Sequence, residues 1–178
     1  KFEKKLQDLE KQIFKISKKK FNIASTKQLG EIMYNDLKIA SLKKTKKGSF
    51  ATGAAVLEDL AYKGNEFPKL VLEWRQSSKL KNTYSDSLPE HLNPNTKRVH
   101  TSFLLAATTT GRLASSDPNL QNIPIKTEEG KDIRKAFISE KNKKLISADY
   151  NQIEMRILAD LADVKELKKA FKNNEDIH

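Results

Sequence analysis

A chain of 178 residues with 37% hydrophobic and 32% charged side chains is polar, yet it carries apolar residues enough for one or two small domains. No apolar run approaches membrane-spanning length and no leader pattern is read in the opening residues. Without cysteine there is no disulfide framework or thiolate metal site, which suits a reducing, cytoplasmic setting. The net charge of +11 is uneven: residues 1–50 hold 14 Lys against 5 acidic residues, whereas the remaining 128 residues net only +2. A cationic opening segment is the electrostatic footprint of a polyanion binder, although a solvated lysine-rich face has the same composition. The chain opens at Lys1 inside a helical pattern and closes at His178 behind an acidic run, so it reads as a piece of something longer.

Phe2, Leu6, Leu9, Ile13 and Ile16 alternate by four and three, an apolar seam on a charged helix that Lys18–Lys20 close. Such a seam calls for an antiparallel helical partner, supplied by this chain or by a segment before it. Ser25 or Thr26 caps a second helix with Leu29, Ile32, Met33 and Leu37 on one face. A basic loop at Lys43, Lys44, Lys46 and Lys47 ends in Gly48, and Thr52 starts a third helix through Val56, Leu57 and Leu60. Gly64-Asn65 breaks it, and Pro68 fits the first turn of a fourth helix running from Phe67 to about Tyr84. Pro89 and Pro94 mark irregular connections. Residues 98–105 read as a strand entering a sheet, and 127–137 as a helix with Glu128 and Glu129 in its first turn.

After a turn at 141–144, Leu145 to Ala148 has the length and character of a buried strand. It ends in Asp149, and the period then changes: Ile153, Ile157, Leu158 and Leu161 recur at helical spacing, with 164–171 a last short helix. Two roles suit a carboxylate at such a junction. Asp149 followed by Gln152 is a capping-box pattern, and a carboxylate held by backbone on both sides also suits a metal ligand. The strings around it decide. Asp149 to Arg156, DYNQIEMR, closely resembles DYSQIELR, the motif A of family A DNA polymerases, the bacterial DNA polymerase I type. Thr108 to Pro124, TTTGRLASSDPNLQNIP, is similar to a second signature of that family, and the likeness runs from FNIASTKQLGEIMY at 21–34 to EDIH at 175–178.

The resemblance implies an α+β fold: a basic helical thumb over residues 1–65, then an incomplete mixed α/β palm over 66–178. It implies template-directed DNA synthesis on primer-template DNA from deoxynucleoside triphosphates, in a monomer of the bacterial cytoplasm, with two Mg2+ ions bridging the attacking oxygen and the triphosphate. Asp149 matches the first metal-binding aspartate, with the carbonyl of Tyr150 a further ligand. Glu154 matches the residue that packs under the incoming sugar and excludes a 2′-hydroxyl; Gln152 and His178 join it at the nucleotide. Arg112 matches an arginine that reaches the minor groove at the primer terminus, and the amides of Asn119, Gln121 and Asn122 suit the same duplex surface. Arg75 and Lys79, four apart on one helix face, can meet one phosphate strand, and the Lys43–Lys47 loop resembles a thumb-tip loop that grips the duplex.

Asn151 replaces the usual serine with another small polar residue. Leu104-Leu105 stand where the family often has a polar pair, and Lys126 where arginine is frequent, which keeps charge and loses bidentate geometry. The family's second catalytic aspartate lies in a His-Asp-Glu string, which does not occur here, and neither does the fingers helix with its lysine and tyrosine. One carboxylate cannot organise two metals, so these residues alone are expected to be inactive. A non-catalytic, basic nucleic-acid-binding module of shared ancestry is the competing reading.

Overall fold

The structure, a computed structural model, describes residues 1–39 and 50–175. The chain forms two compact units, 1–137 and 138–178. Helices on either side of residue 65 share one core within the first unit.

In the first unit, helix α1 (Phe2–Ser17) buries Leu6, Leu9 and Ile13 and ends at Lys18 in a left-handed conformation. Its partner is the chain's own α4 (Glu66–Leu80). Lys81 Nζ lies 3.3 Å from Glu3, and Trp74 Nε1 donates to Glu10 at 3.0 Å. Residue numbers rise along one helix as they fall along the other, so the pair is antiparallel, as the seam requires.

Helix α2 (Thr26–Glu31) is capped by Ser25, whose hydroxyl accepts from the Gln28 N–H at 3.4 Å. It widens into a π-helical turn over Ile32–Asp36 that buries Ile32, Met33 and Tyr34. Helix α3 (Ala54–Tyr62) begins two residues later than the sequence suggests, with Gly53 at its N-cap. Gly64, at φ +88°, turns the chain out of it. Leu9, Ile13, Leu29, Met33, Leu57, Phe67 and Val71 interlock as the centre of the core. Helix α4 continues through a π-helical turn, Lys81–Asp86, into the short α5 (Ser87–Glu90), so the long helix expected to Tyr84 is present with a widened last part.

Strand β1 (Ser102–Leu104) pairs antiparallel with β2 (Ala114–Ser116), Phe103 opposite Ser115. These are three-residue strands; the strand expected over 98–105 is reduced to its middle, and its residues are exposed rather than buried in a sheet. Helix α6 (Glu128–Arg134) is capped by Thr127, which accepts from the Gly130 N–H at 3.1 Å. Lys5 reaches Glu129 at 2.7 Å and Lys1 reaches Asp132, tying α6 to α1.

The second unit holds α7 (Ile153–Leu161) and α8 (Lys165–Lys172), packed through Ala159 and Phe171. The Arg156 guanidinium lies 4.5 Å above the Phe171 ring. Lys168 bridges Asp160 and Asp163, each at 3.0 Å. The strand expected at 145–148 is not formed: these residues are irregular, with Leu145 69% and Ile146 91% exposed. A strand needs a ladder partner for its N–H and C=O groups, and the strands of the described residues pair with each other. A unit of about 40 residues also buries too little apolar surface to hold one alone. Helix and small sheet together make the fold class α+β, as expected.

Candidate nucleic-acid interface

Three places in the structure carry the residues singled out by sequence. The first lies on α4. Arg75 and Lys79 line one open hollow of about 450 Å3, as their four-residue spacing requires. Thr26, at the start of α2, and Thr52 and Gly53, just before α3, line it too. Arg75 is half-buried, and its Nη1 donates to the Thr52 carbonyl at 2.6 Å. Burial pulls its pKa down, but a guanidinium stays charged throughout the physiological range. Arg75 is therefore a fixed cation tying two helices, whereas Lys79 is exposed. Gly53 brings no side chain to cap α3, so the first-turn N–H groups add a partial positive charge beside the two cations. The sequence marks Thr26 and Thr52 only as helix starts and does not join them or Gly53 to α4, because they converge from separate elements and share no local pattern.

The second place is the turn-rich stretch around β2. Gly111 has φ +73°, a conformation that favours glycine over any side chain, and it turns Arg112 outward onto an exposed surface. Thr108 Oγ1 donates to the Arg112 carbonyl at 2.8 Å. Beyond β2, Asn119 Oδ1 accepts from the Gln121 N–H at 2.9 Å, an Asx-type turn. Gln121 Nε2 donates to the Leu113 carbonyl at 2.9 Å, beside Arg112. The buried Tyr84 hydroxyl donates to the Asn122 carbonyl; burial pushes its pKa up and keeps it a donor. Arg112, Asn119, Gln121 and Asn122 are all exposed and belong to one hydrogen-bonded body. Two of the three amides expected on a duplex surface are thus also internal braces, a double use the sequence does not reveal.

The third place is the stretch around Asp149. Residues 141–151 are exposed, Tyr150 at 82%. Helix α7 starts at Ile153, and its N-cap is Gln152, in a left-handed conformation with no side-chain cap bond. The capping box of Asp149 and Gln152 is therefore not formed, since Asp149 stands three residues before the cap. Glu154 lies in the first turn, as its position in the string suggests, and is exposed. Arg156 Nε donates to the Asn151 carbonyl at 2.8 Å and folds the chain back over the helix start. Among the described residues no three His, Cys, Asp or Glu cluster as a metal site. Hard divalent cations take six or more oxygens, so the Asp149 carboxylate and the Tyr150 carbonyl do not by themselves fit a metal pair. Lys43, Lys44, Lys46, Lys47 and His178 lie outside the described residues. No helix among the described residues is long and apolar enough to cross a membrane.

Comparison with known proteins extends both strings to the whole chain. The chain is 55% identical over 170 residues to DNA polymerase I of Rhizobium leguminosarum, a match covering 96% of this chain and 17% of that protein. With DNA polymerase I of Pseudomonas aeruginosa the identity is 49% over 174 residues, 98% of this chain and 19% of that one. The chain thus spans about a fifth of the length of these relatives. The solved POL domain of Pol1 from M. smegmatis, in complex with DNA primer-template and dNTP, superposes with a TM-score of 0.89 at 40% identity. That likeness covers 99% of this chain and 31% of the other. The pattern of DNA polymerase family A matches residues 1–178, and the chain belongs to that family.

Proposed function

We propose that this chain is the duplex-holding part of a template-directed DNA polymerase, with the first metal-binding aspartate at its far end. Residues 1–65 correspond to the thumb and 66–178 to the N-terminal palm. The observation that carries this reading is the likeness, over nearly the whole chain, to a POL domain solved with primer-template and dNTP. The physical arrangement supports it. Lys79 and the fixed Arg75 face one hollow, where a phosphate strand would gain from both cations. Arg112 and the braced amides offer hydrogen-bonding groups to base edges, and minor-groove acceptors common to all pairs report pair geometry rather than sequence. The Lys43–Lys47 loop adds charge to the same task.

Asp149 and the Tyr150 carbonyl would hold Mg2+ together with further oxygens, and the ions when bound supply electrostatic stabilisation of the phosphoryl transfer. Gln152, Glu154 and His178 face the deoxynucleoside triphosphate, with Glu154 beneath its sugar. The enzyme works as a monomer in the bacterial cytoplasm, in DNA replication and repair. A second reading, a binding module without chemistry, is favoured for the described residues alone by their single catalytic carboxylate.

Fluorescence anisotropy of a labelled primer-template, titrated with the intact polymerase across a salt series, tests the proposal. Neutralising about four phosphates gives a log–log salt slope near −3.6, and Lys79→Ala should reduce its magnitude by about 0.9. An affinity independent of salt, or a slope unmoved by Lys79→Ala, overturns the assignment of the α4 face. Primer extension by the same protein separates the enzyme from the binding module.

A further inference from the structure

The loop from Asp117 to Asn122 has an anchor that its exposed amides do not supply. Ser115, the central residue of β2, is 5% exposed. Its hydroxyl lies 2.7 Å from Thr101 Oγ1, and it accepts from the Leu120 N–H at 3.0 Å. Thr101 Oγ1 lies 2.8 Å from the Pro118 carbonyl and 3.0 Å from that of Ser116, whereas Ser115 Oγ is 3.4 Å from the Pro118 carbonyl. Two hydroxyls bring two protons, and a carbonyl can only accept. The shorter distance to Pro118 gives that bond to Thr101. Ser115 then donates to Thr101, and Thr101 donates to Pro118. The result is a closed relay from the Leu120 N–H through both hydroxyls to the Pro118 carbonyl, with every proton used once. It clamps both sides of Asn119 and stands one residue before Gln121, whose side chain in turn holds the Leu113 carbonyl next to Arg112.

We infer that Thr101 and Ser115 are positioning residues for duplex readout: their hydroxyl relay sets the register of the Asn119–Asn122 amides and, through Gln121, of Arg112. This rests on the proposal that those groups meet the primer-template. Both hydroxyls are engaged within the loop. Ser115 is buried, so it acts on what lies outside through the loop it holds. The prediction is therefore selective. Losing the relay should blur the reading of pair geometry before it weakens phosphate binding, which the α4 cations supply from a different element.

The test uses the intact polymerase that contains this chain, with matched and mismatched primer termini. Ser115→Ala and Thr101→Val should each lower the ratio of matched to mismatched kcat/KM by about three- to tenfold, the range expected for one buried hydrogen bond. The salt slope of primer-template binding should stay unchanged. Thr101→Ser, which keeps the hydroxyl, should restore the ratio, and Ser115→Ala added to Gln121→Ala should cost less than the product of the two single losses, because they share the route to Arg112. A purely structural role would lower the melting temperature and depress matched and mismatched extension together; that outcome, or failure of Thr101→Ser to rescue, overturns the inference. If Gln121→Ala changes the ratio and Ser115→Ala does not, the relay fails while the interface stands. If Gln121→Ala and Arg112→Ala both leave the ratio untouched, the interface reading fails and takes the relay with it.

Discussion

Replacing Gly130 by alanine tests whether the loop that ends at Pro124 and α6 are packed as closely as the structure requires. Gly130 sits in the first turn of α6, and a Cβ built there lies 2.8 Å from the Pro124 carbonyl oxygen and 2.9 Å from Pro124 C and Cβ. Two of these atoms are backbone, and Pro124 closes the stretch that carries Asn119 to Asn122. None can rotate aside. In an exposed helix interior, glycine to alanine gains about 1 kcal/mol through backbone entropy and propensity. Overpacking a tight contact loses about 1–3 kcal/mol. The clash should win, giving a net destabilisation of up to about 2 kcal/mol, up to roughly 8 °C in melting temperature for a unit of this size. Equilibrium urea denaturation of parent and mutant reads the sign directly. A mutant more stable than its parent would mean that α6 does not approach Pro124 so closely, and the brace drawn for the loop would have to be withdrawn.

Three further outcomes follow from the same structure. Asp132, held down to about 2 by hydrogen bonds from Lys1 and Lys135, and Glu129, lowered mainly by its hydrogen bond from Lys5, have folded pKa values below their unfolded ones. Their stabilisation is full above about pH 5, beyond the unfolded values, and fades as pH falls through the folded ones. The urea midpoint of the parent should therefore drop more steeply from pH 4 to pH 2 than that of an Asp132→Asn, Glu129→Gln variant; parallel curves would mean the α1–α6 ion pairs contribute nothing. In the intact polymerase, Asp149→Asn should abolish nearly all single-turnover incorporation with little change in primer-template affinity, because duplex binding comes from many phosphate contacts; near-normal incorporation would reduce Asp149 to an exposed loop carboxylate. Glu154→Ala should raise ribonucleotide use relative to deoxyribonucleotide by about a hundredfold in kcat/KM, and an unchanged ratio with both values lowered would remove Glu154 from the sugar site.

Much of the first unit was legible because its determinants are local. The seam of α1, the Ser25 cap and the break at Gly64 each depend on a few neighbouring side chains or one dihedral angle. Sequence separation marks where legibility ended. Arg75 was readable as a cation on a helix face, but not as a guanidinium spent on the Thr52 carbonyl, a contact across 23 residues. Tyr84 reads only as the end of a long helix until its hydroxyl is found on the Asn122 carbonyl. The Thr101–Ser115 relay is written in two of the least distinctive residue types and has no pattern at all.

The two family strings have different physical needs, and that explains their different fates here. The stretch from Thr108 to Pro124 is shaped by hydrogen bonds from its own side chains and from Thr101 and Tyr84, all inside the first unit. Those bonds place its amides and the Arg112 backbone in one frame. The stretch from Leu145 to Arg156 contains an apolar run that becomes a strand only against another strand, and a helix whose Ile157, Leu158 and Leu161 stay at least half exposed. A ligand is useful to a metal only when the surrounding backbone fixes its direction. Asp149 follows a segment with no ladder on either edge, so its carboxylate is not oriented by the described residues. On the proposed function, the groups offered to a duplex are ordered within the first unit, whereas a metal at Asp149 would need an ordered backbone over Leu145–Ala148 as well as more oxygen ligands.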